Sequence, residues 1–331
     1  MRDLTVDIAE DDIFKSYKVN ETIKRIKMVH GMYFDKQCTK KGLLIYGASG
    51  EGKTHLLKAY KKLFKPVEDI EKKTIPVFYY AVRQGKSNVN DFMKTLISAL
   101  GGPPIRNRPH SSELETQFIT LLKEQEVELI ILDEIQNLST SYDGILFQSI
   151  IKYLCWLLDE DAIQCSIVFA GSQLASRLMS FGEHNMKLND NEQLSRRMLR
   201  PIPLRRHAPK QSQWTDCVDW YLKQIKGPEL DSSNVLHQQF YDRVYVAYQE
   251  KSMSTLNDLF IQENCMRSPD LKSLYQALSI NFNLYCKSTD NPFVNLSEIQ
   301  WITNSILEAK KRNTLEKSNH LTYSKKQTYA V

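Results

Sequence analysis

The segment Gly47-Ala48-Ser49-Gly50-Glu51-Gly52-Lys53-Thr54 constrains this chain more than any other stretch. It matches G-x-x-x-x-G-K-[ST], in which glycines let backbone N–H groups close around phosphates. Lys53 would then reach the β- and γ-phosphates, and the Thr54 hydroxyl would hold Mg²⁺. Such a loop needs a buried strand before it and a helix after it, because the helix N-terminus adds partial positive charge to the phosphate site. Leu43-Leu44-Ile45-Tyr46 reads as that strand, and Thr54-His55-Leu56-Leu57-Lys58-Ala59-Tyr60 as that helix. The alternative is a Gly-rich turn between two core elements, and the flanking pattern speaks against it.

A second segment, Leu129-Ile130-Ile131-Leu132-Asp133-Glu134, is an apolar strand ending in two carboxylates. On its own it could be a strand end carrying solvated acids. Downstream of a phosphate loop, Asp133 is placed to anchor Mg²⁺ and Glu134 to polarise a water against the γ-phosphate. Together the two segments predict a protein that binds ATP and hydrolyses it.

Strands alternate with helices through the first two thirds of the chain. Ile23, Ile26, His30 and Tyr33 follow helical spacing ahead of the nucleotide strand, while residues 1–20 lack periodicity. Residues 75–82 form an apolar strand that ends in the polar loop Arg83–Asn88. Val89, Phe92, Met93, Leu96, Ile97 and Leu100 then mark an amphipathic helix stopped by Gly101-Gly102-Pro103-Pro104. The basic loop Arg106–His110 precedes a helix with the capping box Ser112-Glu113-Leu114-Glu115. Ile150, Ile151, Leu154, Leu157 and Leu158 suggest another helix, and Ile167–Ala170 a strand ending at Gly171-Ser172-Gln173. This order predicts an α/β fold with a parallel sheet covered on both faces. The loop, the carboxylate pair and Ser172 all fall at the carboxyl ends of strands, where such sheets bind ligands.

Beyond residue 207 the strand signal fades. Trp214, Val218, Tyr221 and Ile225 repeat at helical spacing, as do Phe240, Val244 and Tyr248, and Leu271, Leu274, Leu278 and Phe282. Ser268-Pro269 reads as a helix start with Ser as the cap. A last helix opens at Ser297 and leads into a basic, polar end that reads as a flexible interaction arm. The expected organisation is an ATPase core with an N-terminal extension over 1–206, an all-α lid over 207–290, and a C-terminal helix and tail over 291–331.

With 331 residues, 42% hydrophobic and 25% charged, the chain has ordinary globular composition. No apolar run approaches the ~20 residues that span a bilayer, and no membrane partner is expected. The N-terminus does not read as a secretory signal. The 6 cysteines lie far apart with no zinc spacing, which predicts reduced thiols in a cytosolic compartment. Net charge is only +5, but no acid falls between Glu192 and Asp216, a stretch that holds Arg196, Arg197, Arg200, Arg205, Arg206 and Lys210. A solvated basic face is the plain alternative for that cluster.

Phosphate loop, Asp-Glu strand, polar strand end, arginine pair and helical lid come in the order that resembles the AAA+ ATPases. Within them the chain is similar to the TnsC/TniB-type regulators of DNA transposition. Gly47–His55, Leu132-Asp133-Glu134-Ile135-Gln136-Asn137-Leu138 and Asn191-Glu192-Gln193-Leu194-Ser195-Arg196-Arg197 carry the likeness. That family usually reads D-E-x-Q-H-L and N-E-Q-L-x-R-R-F, so Asn137 and Met198 are departures. Neither touches the metal-anchoring or water-polarising positions.

The resemblance implies that ATP is bound by Gly47–His55, with Arg267 as a second sensor in the lid and Ser172 as the first. Arg196 or Arg197 would be a finger reaching a neighbouring subunit's nucleotide, since a guanidinium stabilises charge on the transferring phosphoryl group. It implies a homo-oligomeric ring or filament, hexameric or heptameric, around double-stranded DNA. It further implies a TniQ-type target selector and transposase subunits as partners, in a bacterial, nucleoid-associated setting, including transposons associated with CRISPR systems. DNA contacts would come from Arg83, Lys86, Ser87, Arg106 and Arg108, to phosphates rather than bases. Two other readings stay open: a helicase-loader or initiator-type AAA+ ATPase, and a P-loop signalling ATPase or kinase that meets no nucleic acid.

Overall fold

The computed structural model describes residues 3–35, 37–69, 73–83, 88–105, 109–139, 153–158, 165–176, 196–204, 212–231, 233–251, 253–266, 268, 270–286 and 291–293. The chain divides into two compact units, Met1–Arg205 and Arg206–Val331.

The first unit is built on a parallel sheet. Its strands are β1 (Gly42–Gly47), β4 (Val77–Ala81), β5 (Leu129–Asp133), β6 (Ser166–Gly171) and β7 (Ile202–Leu204), in the order β4-β5-β6-β1-β7. A separate antiparallel ribbon pairs β2 (Val67–Glu68) with β3 (Lys73–Thr74). Parallel strands buried on both faces need apolar side chains at nearly every position. β5 and β6 are buried along their whole length. Alternate residues feed two cores: Ile130, Leu132, Ile167 and Phe169 join one, and Leu129, Ile131, Val168 and Ala170 the other.

Helices α3 (Val89–Ala99) and α4 (Ser111–Glu124) cover the first face through Phe92, Leu96, Leu114 and Phe118. Helices α1 (Tyr17–Gly31) and α2 (Lys53–Lys62) cover the second through Ile23, Ile26, Leu56 and Tyr60. The aperiodic N-terminal stretch also enters this core with Ile8 and Ile13. Single buried residues in an extended segment leave no period to detect, which is why sequence alone gave no element there. His30 on α1 is fully buried, with Nε2 3.0 Å from Glu128 Oε2 and Nδ1 2.9 Å from the Tyr60 hydroxyl. Burial is tolerated because both ring nitrogens have partners.

Two helix starts differ from expectation. Helix α4 begins two residues early: His110, not Ser112, is the cap, and Glu113, not Glu115, reaches back, its Oε2 accepting from the His110 N–H at 3.3 Å. The second unit contains α5 (Ser212–Gln224), α6 (Val235–Lys251), α7 (Met253–Phe260), the short α8 (Glu263–Met266) and α9 (Leu271–Tyr285). The cap of α9 is Asp270 rather than Ser268. Its carboxylate accepts from the Ser273 N–H at 2.8 Å, whereas the Ser268 hydroxyl turns back to the Asn264 carbonyl at 2.9 Å. A carboxylate at the helix start also meets the positive end of the helix dipole, so it outcompetes the hydroxyl. Of the residues the helical spacing marks in this unit, Trp214, Val218, Tyr221, Ile225, Phe240, Val244, Tyr248, Leu274, Leu278 and Phe282 are buried and Leu271 only partly so, while Leu256, Leu259 and Phe260 of α7 are buried without having been marked. The expected helix from Ser297 lies outside the described residues, as do Ile150 and Ile151, while residues 153–157 are helical.

Candidate active site

The phosphate loop leaves β1 at Gly47 and enters α2 at Lys53. Gly50 and Gly52 both sit at φ 80, the left-handed region that L side chains avoid. Gly52 is also the cap residue of α2 and supplies no side-chain acceptor, so the helix's first N–H groups meet no cap of their own. Gly47 is needed for a different reason. A Cβ there would lie 2.3 Å from the carbonyl oxygen of Leu204 on β7, so the loop can leave β1 only where the neighbouring strand comes close.

Lys53 is buried, and its Nζ donates to the carbonyls of Gly47 at 3.0 Å and Ala48 at 2.6 Å. Burial pushes its ammonium below the usual lysine range, against the opposing pull of Glu134, Asp133 and Glu51. His55, one residue past the loop's hydroxyl, turns away from it. Its Nε2 donates to the Asp12 carbonyl at 2.7 Å, and Lys62 pairs with the Asp12 carboxylate at 2.7 Å. These bonds tie the N-terminal stretch to α2.

The loop and the carboxylate strand meet at Thr54, whose Oγ1 donates to Asp133 Oδ2 at 2.7 Å across 79 residues of sequence. The same Oδ2 accepts from the Tyr79 hydroxyl on β4 at 2.9 Å, and Oδ1 accepts from the Glu134 N–H at 2.8 Å. Asp133 is fully buried, so these donors replace its lost water. Burial, then the Asp133 charge and the hydrogen bond to it, push the Tyr79 phenol well above its usual value. A hydroxyl and a carboxylate at this spacing form the hard oxygen set that Mg²⁺ prefers. The residues present therefore fit a magnesium nucleotide.

Glu134 follows at φ 56, a left-handed value that is unusual for a side-chain-bearing residue. The tight turn Ile135–Ser139 comes next, pinned by Ile135 and Leu138 in the first core. Gln136 Nε2 donates to Glu134 Oε2, and Gln136 Oε1 accepts from the Ser172 N–H at 2.9 Å. Ser172 thus lies at the end of β6, beside the end of β5, as the sequence order implied. Asn137 donates to the Val82 carbonyl at 2.8 Å, and the Val82 N–H donates to the Asp133 carbonyl at 2.8 Å. The amide at 137 thereby stitches the end of β4 to the turn after β5.

The arginine pair is not beside the phosphate loop. Met198 bridges Gly42 at the start of β1, the Leu199 N–H donates to the Gly42 carbonyl at 2.7 Å, and the Met198 sulfur fills the space that a Cβ on Gly42 would need. Lys41 Nζ donates to the Arg196 carbonyl at 2.9 Å and Arg25 to the Arg200 carbonyl at 2.7 Å. The loop begins at the other end of β1, five residue steps of about 3.3 Å away, or roughly 16 Å. Arg196 is exposed and Arg197 partly so. Arg83 is exposed at the end of β4, while Lys86, Ser87, Arg106, Arg108 and Arg267 lie outside the described residues.

Sequence reasoning missed Tyr79, the linking role of Gln136, and the braces Lys41 and Arg25. Only Tyr79 left a signal. In β4, residues Val77 and Tyr79 alternate onto the face that packs toward α2, and a tyrosine near a strand's carboxyl end can reach the neighbouring strand's last residue.

The family model for bacterial TniB protein matches residues 5–206. The chain belongs to the TniB family. No curated protein matches it. Among solved structures, the TniB-family chain is similar in fold to the Aeropyrum pernix ORC2 protein in its ADPNP–ADP complexes, with a TM-score of 0.52, 13% identity, and 85% of this chain and 72% of that chain covered. Weaker likenesses include the Aeropyrum pernix ORC1 protein in complex with DNA (TM-score 0.47, 17% identity, 80% of this chain and 65% of that chain). Another is C. elegans PCH-2 (TM-score 0.48, 13% identity, 84% and 71%). This TniB-family chain is an AAA+ ATPase: its parallel sheet carries the loop and carboxylates at adjacent strand ends. Among the described residues, no helix is long and apolar enough to cross a membrane, and no group of three or more His, Cys, Asp or Glu could hold a metal ion.

Proposed function

We propose that this protein is a nucleotide-switched assembly factor of DNA transposition, which forms rings or filaments on double-stranded DNA and joins a TniQ-type target selector to the transposase. The observation that carries the nucleotide chemistry is the 2.7 Å contact between Thr54 and Asp133. It unites a phosphate-binding loop with a carboxylate strand, the pairing that phosphoryl transfer requires.

Thr54 and Asp133 hold Mg²⁺, which when bound offsets the charge of the phosphate oxygens. The loop's N–H groups and Lys53 orient the triphosphate, and Glu134 accepts the proton of an attacking water. Ser172 reads the γ-phosphate. Arg196 or Arg197 completes the pocket of a neighbouring copy. Their attachment at the far end of β1 supports action between copies, because the backbone that carries them meets β1 at Gly42, roughly 16 Å of strand from where the loop begins. Hydrolysis then depends on assembly and triggers disassembly. Duplex contacts by Arg83 and the loops after the early strands go to phosphates, so subunits repeating along DNA tolerate any sequence.

An initiator-type or helicase-loading role is the second reading, favoured by the ORC2-like fold. Electron microscopy with duplex DNA and a non-hydrolysable ATP analogue separates the two. Continuous rings or filaments on DNA of any sequence support the transposition reading. Isolated particles at one sequence favour the initiator, and unchanged monomers refute both. Glu134→Gln should bind ATP, lose hydrolysis by at least ~100-fold, and accumulate on DNA.

A further inference from the structure

We propose that Gln136 is a positioning residue for hydrolysis: its side-chain amide ties the Glu134 carboxylate to the backbone at the end of β6 and so holds the base over the phosphate loop's side of the sheet. The proposal rests on the reading of Glu134 as the water-polarising base.

The first support is the direction of the two hydrogen bonds. Gln136 Oε1 accepts from a backbone N–H, that of Ser172, at 2.9 Å, and Nε2 donates to Glu134 Oε2. A carboxylate can only accept and an N–H can only donate, so one orientation of the amide satisfies both partners. The second is the frame. Gln136 lies in the turn Ile135–Ser139, whose Ile135 is fully buried and Leu138 nearly so, and Asn137 fastens the same turn to the Val82 carbonyl at 2.8 Å. The amide is therefore presented by a rigid piece of backbone.

A third support comes from the residue facing it. A Cβ at Gly171 would stand 2.3 Å from Gln136 Oε1 and 2.7 Å from the Ala175 Cβ. The end of β6 lacks a side chain where the glutamine enters.

Strand order gives the clamp its direction. β6 lies between β5 and β1, and β1 runs into the phosphate loop. A Glu134 side chain drawn toward β6 is drawn toward the triphosphate, and away from the β4 edge. Without the clamp, a residue at φ 56 on a strand end retains several side-chain rotamers, of which few present an oxygen to an attacking water. Only Oε2 is engaged by the amide in this arrangement. Holding reacting groups within a fraction of an ångström is worth orders of magnitude in rate.

Steady-state ATPase kinetics, binding of a fluorescent ATP analogue with Mg²⁺, and thermal melting of the full chain test the proposal on Q136A. The expected result is a kcat lower by roughly ten- to a hundred-fold, with KM, analogue affinity and melting temperature near wild type. Wild-type kcat, or a parallel loss of affinity and rate, would overturn it. Should Q136A fail to fold, Gln136→Glu has the same size and keeps an acceptor for the Ser172 N–H, but turns a carboxylate toward Glu134; it should fold and show the same kcat loss. Full activity in Q136E overturns the proposal. E134Q and E134Q/Q136A should hydrolyse ATP at the same residual rate, since the clamp acts only through the base, and a further drop in the double variant counts against it. If E134Q itself is active, the reading of the base fails; if E134Q is inactive while Q136A keeps the wild-type kcat, the clamp alone fails.

Discussion

Asp133 takes three hydrogen bonds on two oxygens while fully buried, and two of the donors are hydroxyls on the same oxygen. The Tyr79 phenol donates to the same Oδ2 as Thr54, so it fixes the carboxylate's rotation while leaving Thr54 in contact. Removing a donor from a buried carboxylate leaves a desolvated acceptor and costs roughly 1–3 kcal/mol. Tyr79→Phe should therefore raise the Mg²⁺ concentration needed for half-maximal nucleotide binding several-fold, while nucleotide affinity in EDTA stays the same. A fluorescent-analogue titration against Mg²⁺ measures this, and an equal loss in EDTA would assign Tyr79 to the loop instead. At this scale the sequence marked the acids and the lysine because their motif spacing is local. The alternation of β4 hints at the face Tyr79 occupies, but its pairing with Asp133 is fixed only once β4 lies beside β5.

At the scale of elements, strands β1, β5 and β6 are legible because central parallel strands are continuous apolar runs. Strand β7 is not, for it has three residues with Pro203 at its centre and owes its existence to pairing with Ile45, Tyr46 and Gly47. As an edge strand it tolerates the proline, which has no N–H to donate. The same pairing explains Gly47. Gly47→Ala would press a methyl against the Leu204 carbonyl and should destabilise the first unit by about 1–3 kcal/mol, read as a lower denaturation midpoint, with weakened nucleotide binding. The cap of α9 is a separate element-scale case. Asp270→Ala removes the acceptor of the Ser273 N–H and should cost about 1 kcal/mol in unfolding measurements, with Ser268→Ala closer to neutral for helix capping. The sequence pointed at Ser268-Pro269 because local rules cannot tell which of two nearby cap formers the chain's path will use.

Across the whole molecule, the arginine pair and the phosphate loop occupy opposite ends of β1. Under the proposed function a guanidinium then serves only another copy's pocket. Mixing supplies the test. Glu134→Gln retains its arginines and the R196A/R197A variant retains its base, so each should be nearly inactive alone. Together on DNA they should hydrolyse ATP at least several-fold faster than the sum of the two. A guanidinium supplied in trans is worth roughly 10³-fold or more in related chemistry, so even partial mixing is detectable, and a merely additive rate would assign the arginines a role within one chain.

The sequence by itself determined that the chain is a P-loop ATPase with a parallel sheet followed by helices, because phosphate binding and strand burial impose residue types at short, fixed spacing. Tertiary structure alone decided which groups complete the site. Tyr79 reaches Asp133, Gln136 links Glu134 to Ser172, and the arginines are fastened away from the loop, through contacts that join residues far apart in sequence or direct side chains by backbone geometry. Such contacts depend on strand order and register, and no local pattern of residues encodes either.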